Sequence, residues 1–476
     1  MIFRRFYDAR LAQTSYLVGC ARTGEALVVD PNRDYEQYVE AARSENLRVS
    51  WVTETHIHAD FVSGSRELAA HTGARLLLSA AGGPEWRYAY AGEAGATLLE
   101  DGSTFEVGAI RIEALHTPGH TPEHLAFLVT DTAGADQPMG VLTGDFLFVG
   151  DVGRPDLLER AVKVTGTMER SARDLFASLQ RFRQLPEYLQ VWPGHGAGSA
   201  CGKSLSAVPQ STLGYERLFN WAFGVTDEAE FVRLVLDGQP DPPAYFAVMK
   251  SINRLGPPIR GAMQRPVHVT VERLVDALAA GAFVIDTRPA ASFAAAHLRG
   301  SINIPLDRSF STWAGWLTPY DRDLYLVADE RRGRGLDDAI HDLSAIGLDR
   351  VVGYTGTNEL ERWTGAHPAG TVRQLSAADL AERLRAGDVA VVDVRAESEF
   401  AAGRLPGAMN IPVGQLPNRL DAVPRDRLVV LQCQSGGRSS IAASVLVARG
   451  FANVVNLTGG INGWRAAGYP LASAGA

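Results

Sequence analysis

The chain has 476 residues, more than one hydrophobic core usually organises, so two to four domains are expected. Its formal net charge of −8 excludes the strongly basic surface through which proteins bind nucleic acids or anionic membranes. The cysteines, Cys20, Cys201 and Cys433, are too few and too far apart for a disulfide framework or a zinc knuckle. Because the sequence shows neither a signal peptide nor an apolar run of membrane-spanning length, we expect a cytoplasmic protein.

The N-terminal half of the chain alternates β-branched strands with glycine-rich loops and occasional helices. Strands are predicted at "RVSWVTET", "IRIEAL", "MGVLTGD" and "LQVWP". This pattern predicts two stacked sheets with helices on the outside. A helical segment from "STLGYERLFNWAFG" to "AYFAVMKSINRL" is expected to close this domain, which we place at residues 1–253.

The remainder of the chain contains an internal repeat. The string "VIDTRPAASFAAAHLRGSINIPL" at 284–306 matches "VVDVRAESEFAAGRLPGAMNIPV" at 391–413. Each copy follows a helical stretch and precedes another short strand and helix, an alternation that predicts a parallel sheet covered on both faces. We therefore predict two similar α/β domains, at residues 267–367 and 373–472, after a proline-rich linker at residues 254–266.

Four short strings in the first domain place histidine or aspartate in a turn after a predicted strand. They are "THIHAD", "HTPGHTPEH", "TGD" and "PGHG", and they contribute the candidate residues His56, His58, His116, His120, His124, Asp145 and His195. Side chains two residues apart in an extended segment point the same way, so His56 and His58 can face one site. A lone histidine is usually an ordinary core or surface residue. Four such strings instead predict convergence at one edge of a sheet.

These strings resemble those of the metallo-β-lactamase superfamily over roughly residues 1 to 250. Together with "GDVGRPDL" they look like the persulfide dioxygenase branch of that superfamily. The resemblance implies an αββα sandwich and a metal held by His56, His120 and Asp145. Two imidazoles and one carboxylate form the facial triad that suits Fe(II) and leaves coordination positions open. One Fe(II) per chain is therefore expected.

The string "THIHADF" departs from the superfamily pattern HxHxDH, because Phe61 stands where the last histidine is expected. That histidine normally serves the second metal of a dinuclear zinc site, and a phenyl ring cannot bind a metal. We therefore expect the second metal site to be disabled and a single metal to remain. His58, Asp60 and His195 are then expected to support the ligands, with direct ligation by His195 as the alternative.

Two further residues of the first domain have open roles. Arg154, in "GDVGRPDL", either binds an anionic part of the substrate or ties down its own loop through Asp156. Cys201 follows His195 by six residues. It either takes up or relays sulfur beside the substrate, or it is inert.

The last domain carries a cysteine in a tight loop, within "LVVLQCQSGGRSSIAASVLVARG". This string predicts a strand ending at Cys433, then a loop that Gly436 and Gly437 allow to curve and Arg438 closes, then a helix. Backbone N–H groups lining such a loop, with a helix N-terminus behind them, stabilise a thiolate. The alternative, a buried structural cysteine, is disfavoured by the Gly-Gly-Arg setting.

The same string resembles a rhodanese domain across residues 373 to 472. Four residues separate Cys433 from Arg438, and the loop of related phosphatases is longer, so the resemblance implies sulfur transfer. Cys433 would carry a sulfane sulfur, and Arg438 would face an anionic donor or acceptor. In the middle domain Asp329 stands opposite Cys433, so this copy is expected to be inactive. Three arginines beside it either bind an anion or form a solvated loop: Arg331, Arg332 and Arg334.

The whole layout resembles fusion enzymes that join a persulfide dioxygenase to an inactive and an active rhodanese domain. The resemblance implies sulfide detoxification in two steps. A low-molecular-weight thiol persulfide is oxidised by O₂ to sulfite, and Cys433 then makes or consumes thiosulfate. These small molecules are the expected partners, together with further copies of the chain in a homo-oligomer. The sequence leaves open which thiol carries the persulfide and in which direction the second step runs.

Two other functions fit parts of the sequence. A zinc-dependent thioester hydrolase of glyoxalase II type would use a metal-bound hydroxide to attack a carbonyl. Phe61 argues against its usual dinuclear site, and a fused rhodanese domain has no evident purpose there. A sulfur-responsive regulatory or carrier protein would keep both folds without turnover, and the intact ligand set and Cys433 argue against it.

Overall fold

The computed structural model describes residues 1–162, 166–261, 265–330 and 335–472. The chain forms two compact units, one made chiefly of its first 263 residues and the other of most of the remainder. Within the described ranges, none of the helices combines the length and the apolar composition needed to cross a membrane. Arg331, Arg332 and Arg334, named above as potential anion ligands, lie outside the described residues.

In its described part, the first unit is built on two six-stranded sheets. The first sheet has its strands in chain order: β1 (Ile2–Asp8), β2 (Gln13–Cys20), β3 (Glu25–Val29), β4 (Arg48–Thr53), β5 (Arg75–Ser79) and β6 (Thr97–Leu99). The second sheet also follows chain order: β7 (Thr104–Val107), β8 (Ile110–His116), β9 (Leu125–Asp131), β10 (Gly140–Gly144), β11 (Gln190–Pro193) and β12 (Ser211–Thr212). Both sheets mix parallel and antiparallel pairs, and β4 and β11 each end beside a parallel neighbour.

Helices cover the outer faces of these sheets. Their bounds are α1 (Glu36–Ser44), α2 (Ser65–Thr72), α3 (Leu157–Val162), α4 (Met168–Phe182), α5 (Leu213–Phe219), α6 (Trp221–Gly224), α7 (Glu228–Leu236) and α8 (Phe246–Leu255). The longest, α4, buries a stripe of residues spaced three or four apart, as an amphipathic helix on a sheet must.

The stacking of the layers follows from the alternation of side chains along the strands. Leu17 and Val18 are neighbours in β2 and therefore point to opposite faces of the first sheet. Val18 packs between the two sheets in one core with Phe127 of β9, whereas Leu17 packs outward in one core with Tyr38 of α1. Leu179 of α4 belongs to a third core, on the outer face of the second sheet. This order of helix, sheet, sheet and helix confirms the predicted αββα sandwich.

The second unit contains, among its described residues, two five-stranded sheets whose strands are all parallel. One has the order β13-β17-β16-β14-β15, with β13 (Val267–His268), β14 (Phe283–Asp286), β15 (Ile302–Asn303), β16 (Leu324–Ala328) and β17 (Val351–Gly356). The other has the order β18-β22-β21-β19-β20, with β18 (Arg373–Leu375), β19 (Val389–Asp393), β20 (Met409–Asn410), β21 (Leu428–Gln432) and β22 (Val454–Leu457). The predicted pair of parallel-sheet α/β domains is confirmed, while the residue boundaries assigned to the domains stay predictions.

Helices alternate with these strands. They are α9 (Val271–Ala279), α10 (Ala290–Ala295), α11 (Phe310–Leu317), α12 (Leu336–Ala345), α13 (Thr357–Ala366), α14 (Ala377–Ala386), α15 (Glu397–Ala402), α16 (Gly437–Ala448) and α17 (Gly460–Ala466). Residues 439–446 of α16 are all buried, because this helix packs on its own sheet and also on β15 of the preceding domain. There the backbone N–H of Asn303 donates a hydrogen bond to Ser444 Oγ at 3.0 Å. The helix that follows Cys433 is thereby held from both sides.

Candidate metal centre and sulfur-transfer loop

Three predicted metal ligands meet at one edge of the αββα sandwich. His56 follows β4, His120 lies in the loop between β8 and β9, and Asp145 directly follows β10. All three side chains are buried, and their donor atoms lie within 4.8 Å of one another. The Nε2 atoms of His56 and His120 are 3.8 and 3.6 Å from Asp145 Oδ2. The structure therefore brings together the residues that the sequence singled out for a metal.

The backbone around Gly144 aims Asp145 into this cluster. Gly144 has φ +49°, and a Cβ there would collide with Thr55 and His124, so the turn after β10 requires glycine. His124 then accepts a hydrogen bond on Nε2 from the backbone N–H of Asp145 at 3.1 Å. His124 thus positions Asp145, whereas His116 lies apart and donates from Nε2 to the Pro122 carbonyl at 2.8 Å.

The tautomer of His56 is fixed by a chain of hydrogen bonds. The hydroxyl of Thr55 donates to Asp30 Oδ2 at 2.9 Å, so its oxygen accepts from Nδ1–H of His56, also at 2.9 Å. The lone pair of His56 is therefore on Nε2, which faces Asp145. Burial first, and then neighbouring histidines, hold the pKa of His56 well below its ordinary value. The imidazole stays neutral, as metal binding requires.

His120 is held in the same way by a backbone acceptor. Its Nδ1–H donates to the carbonyl of Arg154 at 3.1 Å, which leaves the lone pair on Nε2 toward Asp145. Burial lowers the pKa of His120 to about 3. Two neutral imidazoles thus present lone pairs toward one carboxylate, the arrangement that a divalent metal completes.

Asp145 supplies the test of whether a cation fits here. Its side chain is fully buried, and apart from the weakly donating thiol of Cys201 its carboxylate oxygens have no hydrogen-bond partner among the described residues. Burial raises the pKa of Asp145 to about 6. An unpaired buried carboxylate costs several kcal/mol, roughly, so native structures pair such groups or use them to bind metals. The set of His56, His120 and Asp145 therefore fits a divalent metal.

His58 is outside this three-residue group. Its Nε2 lies 3.1 Å from Asp30 Oδ1, and its ring is tilted by 36° against Phe61 with centroids 4.4 Å apart. Burial alone would lower the pKa of His58, but the negative charges of Asp30, Glu54 and Asp60 raise it to about 9. That His58 supports the metal ligands stays a prediction. It would do so through Asp30, which accepts a hydrogen bond from the Thr55 hydroxyl.

Phe61 is fully buried and offers no ligand, as expected, yet a second ligand group exists beside the first. Asp60, His195 and Cys201 are buried with ligand atoms within 4.8 Å of one another. These three residues could hold an ion, and the expectation of a single metal per chain stays a prediction.

Of the two roles predicted for Arg154, the substrate ligand is wrong and the residue that ties its own loops together is right. Its guanidinium is completely buried and binds Asp156 through two hydrogen bonds of 2.8 and 2.7 Å. It also donates to the carbonyls of Ala200, at 3.3 Å, and Pro240, at 2.5 Å. With its donors turned to protein atoms and its head group out of solvent, Arg154 fulfils the loop-tying alternative.

Sequence reasoning missed two residues that build the metal edge. Asp30, directly after β3, receives hydrogen bonds from both the N–H and the hydroxyl of Thr55, at 2.6 and 2.9 Å. Asn253 of α8 donates to the carbonyls of His58 and Phe61 at 2.8 and 2.7 Å and so fixes the loop that carries the ligands. An acid at a strand end could have signalled Asp30, whereas nothing local distinguishes Asn253.

The sulfur-transfer loop of the last domain has the predicted strand–loop–helix form. Cys433 follows β21 directly and is buried, and Gly436, with φ +103°, turns the chain into α16. The Sγ of Cys433 accepts hydrogen bonds from Gly436 N–H at 3.2 Å and from the Ser439 hydroxyl at 3.4 Å. Gly437 is the first residue of α16, where it leaves the mouth of the loop free of a side chain.

Arg438 closes this loop as predicted, but its guanidinium is already paired. It donates to both carboxylate oxygens of Glu399 at 2.6 and 2.8 Å. The hydrogen bond from Arg438 lowers the pKa of Glu399 against the opposing effect of burial. Sequence reasoning missed Glu399, although it lies within the quoted repeat. In the middle domain Asp329 follows β16 as Cys433 follows β21, so an acid stands at the nucleophile's position.

Comparisons with known proteins cover both units. A family model for the metallo-beta-lactamase superfamily matches residues 9–195, and one for a rhodanese-like domain matches residues 376–467. The crystal structure of a metallo-beta-lactamase from Staphylococcus aureus subsp. aureus COL is 42% identical, with a TM-score of 0.69, and the match covers 75% of this chain and 99% of that one.

Two curated relatives match separate parts of the chain. A sulfurtransferase from Allochromatium vinosum is 39% identical over 101 residues, which cover 21% of this chain and 94% of the relative. A hydroxyacylglutathione hydrolase from a Polaromonas species is 30% identical over 197 residues, which cover 41% of this chain and 66% of the relative.

Proposed function

Because the chain belongs to the metallo-beta-lactamase superfamily and ends in a rhodanese-like sulfurtransferase domain, we propose that it oxidises thiol persulfides and transfers their sulfur. The first reaction is RSSH + O₂ + H₂O → RSH + SO₃²⁻ + 2H⁺, in which the outer sulfur loses four electrons to O₂. The second is RSSH + SO₃²⁻ → RSH + S₂O₃²⁻, in which Cys433 carries the sulfane sulfur. The substrates are low-molecular-weight persulfides, O₂, sulfite and thiosulfate.

The observation that carries the first step is the composition of the ligand set. Two neutral imidazoles, His56 and His120, and one carboxylate, Asp145, form the set that non-haem Fe(II) oxygenases use; catalytic zinc sites use the same set, so the metal loaded is part of the test. When bound by these residues, Fe(II) would supply electrons for the activation of O₂ and leave coordination positions open to the reactants. The side chains are buried, so their part is to hold the geometry and to exclude water and competing thiols.

The second step rests on the loop around Cys433. The N–H of Gly436 donates to Sγ, and the hydroxyl of Ser439, which lies 3.4 Å from Sγ and 3.2 Å from the Gly436 carbonyl, can turn to donate to sulfur when it carries negative charge, before and after it attacks the outer sulfur of a persulfide. The thiol RSH leaves, and sulfite then removes the sulfane sulfur from Cys433. A covalent link between the two activities raises the effective concentration of the sulfite that they share. The second step can also run in reverse and supply persulfide.

The test is O₂ uptake on addition of glutathione persulfide to full-length protein loaded with Fe(II), compared for wild type and Cys433→Ser. We expect both to consume O₂, with wild type forming thiosulfate and the variant forming mainly sulfite. Cys20→Ser is the matched control, because Cys20 is also buried but accepts a hydrogen bond from Ala109 in another part of the fold. It should behave as wild type.

A zinc-dependent thioester hydrolase is the second candidate, and two observations favour it. The N-terminal unit is similar to a hydroxyacylglutathione hydrolase, and a second ligand group lies beside the first. The same samples decide between the candidates. Thioester hydrolysis by zinc-loaded protein, without O₂ uptake by iron-loaded protein, overturns the oxidative proposal and leaves the sulfurtransferase domain with an accessory role.

A further inference from the structure

Two amide side chains meet at the rim of the sulfur-transfer loop. Gln434 directly follows the nucleophile Cys433, and Asn462 lies in α17, which follows β22, the strand that pairs with β21. Gln434 Nε2 donates a hydrogen bond to Asn462 Oδ1 at 2.6 Å. Sequence reasoning singled out neither residue, and the sulfur transfer described above assigns neither of them a role.

A glycine brings these two segments together. Gly460, at the start of α17, has φ +55°, and a Cβ there would collide with the carbonyl of Cys433. Because this position has no side chain, the backbone N–H of Ile461 donates to that carbonyl at 2.8 Å. The N–H of Asn462 donates to the Gln434 carbonyl at 3.1 Å, so α17 is fixed beside the loop by its backbone alone.

The hydrogen bond between the two side chains adds little to this backbone connection, because an exposed bond between neutral amides replaces bonds that both groups make to water. The pair instead leaves two groups open. Gln434 Oε1, an acceptor, and Asn462 Nδ2, a donor, have no partner within the described part of the chain. Asn462 is exposed and Gln434 is half-buried, so both groups remain accessible beside Cys433.

An acceptor and a donor held side by side complement an extended cysteinyl residue that is joined by amides on both sides. Such a residue presents its own N–H and its own C=O to the same edge, as a residue in a β-strand does. Its N–H can donate to Gln434 Oε1 while its C=O accepts from Asn462 Nδ2. Both groups lie next to the carbon that bears the sulfur, so they approach the loop together with the persulfide.

Charge is a weaker handle for the donor at this loop. Arg438, the cation that closes the loop, is already bound by both carboxylate oxygens of Glu399 at 2.6 and 2.8 Å. Gly437, at the mouth, has open space where a side chain would stand. The loop therefore leaves room for the carrier of the persulfide and offers it neutral hydrogen bonds.

We propose that Gln434 and Asn462 determine the specificity of the sulfur transfer by binding the amide N–H and the C=O that flank the sulfur of a peptide-like thiol. This inference rests on the sulfur transfer proposed for Cys433, in which RSSH + Cys433–S⁻ → Cys433–S–S⁻ + RSH. The S–S bond of the donor breaks, a new one forms to Cys433, and the two amides hold the thiol that leaves. The cysteinyl residue of glutathione carries both groups, whereas thiosulfate carries neither.

Sulfur transfer measured in the absence of O₂ tests the proposal. Full-length protein receives sulfite and the persulfide of either N-acetylcysteinamide, which has both groups, or 2-mercaptoethanol, which has neither. Neither thiol carries a charge besides that of its sulfur. Thiosulfate formed above the level seen with Cys433→Ser gives the KM for each donor. In wild type we expect the KM to be about three- to tenfold lower for the amide-bearing donor, the effect of one or two neutral hydrogen bonds.

The variants Gln434→Met and Asn462→Leu nearly keep the size of each side chain and remove its hydrogen-bonding atoms. Either change should bring the ratio of the two KM values close to one, because the lost contact holds the bound donor. The matched control is Gln374→Met. Gln374 accepts a hydrogen bond from Asn456 Nδ2 at 2.9 Å in another amide pair of the same domain, so this variant should keep the wild-type ratio.

Two results would overturn the proposal. Equal KM values in wild type do so without any variant, and a preference that persists in both Gln434→Met and Asn462→Leu assigns it to other groups. The proposed sulfur transfer fails in a different way. If neither donor yields thiosulfate above the level seen with Cys433→Ser, the transfer itself is wrong and the amide site falls with it.

Discussion

Glu399 grips the guanidinium of Arg438 through two hydrogen bonds, of 2.6 and 2.8 Å, beside the loop that carries Cys433. The Glu399 carboxylate is therefore already bound to the guanidinium that an anionic sulfur donor or acceptor would need. In the proposed sulfur transfer, thiosulfate or sulfite would have to compete with Glu399 for Arg438 before reaching Cys433. The Glu399–Arg438 pair is partly exposed, so the free energy that an anion must overcome is about that of a surface ion pair.

Glu399→Gln should lower the KM for thiosulfate by up to about fivefold, the equivalent of about 1 kcal/mol for a partly exposed pair. The neutral amide leaves Arg438 free to bind an anion. Steady-state kinetics of sulfur transfer from thiosulfate to cyanide measure this KM. Glu397→Gln, an exposed change on the same helix, should leave KM unchanged. A higher KM in Glu399→Gln would mean that Glu399 orients Arg438 for the substrate instead of competing with it.

The same pair gives the last domain an acid-dependent stability. The hydrogen bond from Arg438 holds the pKa of Glu399 below its ordinary value of 4.5, so its ion pair contributes fully above that value. The contribution is lost as the pH falls through the lower folded-state value. Wild type should therefore have a higher Tm for this domain than Glu399→Gln at neutral pH, and the two should converge once the pH has fallen below the lowered pKa of Glu399. Calorimetric scans across this range check it, and a difference that persists in acid contradicts it.

Thr55→Val should weaken metal binding at the first site by about 10- to 100-fold. The change removes the oxygen that accepts from His56 Nδ1, so neither the tautomer nor the ring orientation remains fixed. Competition with a chromophoric chelator gives the dissociation constant. Thr53→Val is the matched control, since the Thr53 hydroxyl is equally buried but donates to the Leu77 carbonyl at 3.0 Å. Equal losses in both variants would point to general damage at the end of β4.

Arg154→Ala should destabilise the first unit by less than the roughly 3–5 kcal/mol of a completely broken buried pair, because the buried carboxylate of Asp156 keeps Arg160, 3.2 Å away, as its remaining partner. Adding Asp156→Ala should recover part of that loss, as the buried carboxylate is then gone. Chemical denaturation of the single and double variants measures both effects. A normally stable Arg154→Ala whose KM for persulfide is raised would return Arg154 to the role of substrate ligand.

The sequence by itself determined the features that depend on short-range patterns. Alternating strands and helices in a repeat imply parallel sheets. Four strings after strand ends supplied the candidate histidines and Asp145, and the resemblance to the metallo-β-lactamase superfamily selected His56, His120 and Asp145 among them. The Cys433 site could also be predicted from the sequence, because the strand, the glycine loop and the helix are contiguous. The backbone that surrounds the sulfur belongs to the same string.

Only the tertiary structure decided which distant groups complete these sites. Asp30 reaches His56 through Thr55, Asn253 secures the ligand loop from a helix about two hundred residues away, and Glu399 meets Arg438 across the last domain. Cys201 joins Asp60 because Arg154 folds its loop back. The residue pattern along the chain determines whether a segment forms a strand or a helix and which way its side chains point. The pairing of buried polar atoms depends on the layers coming together, and no local spacing encodes that.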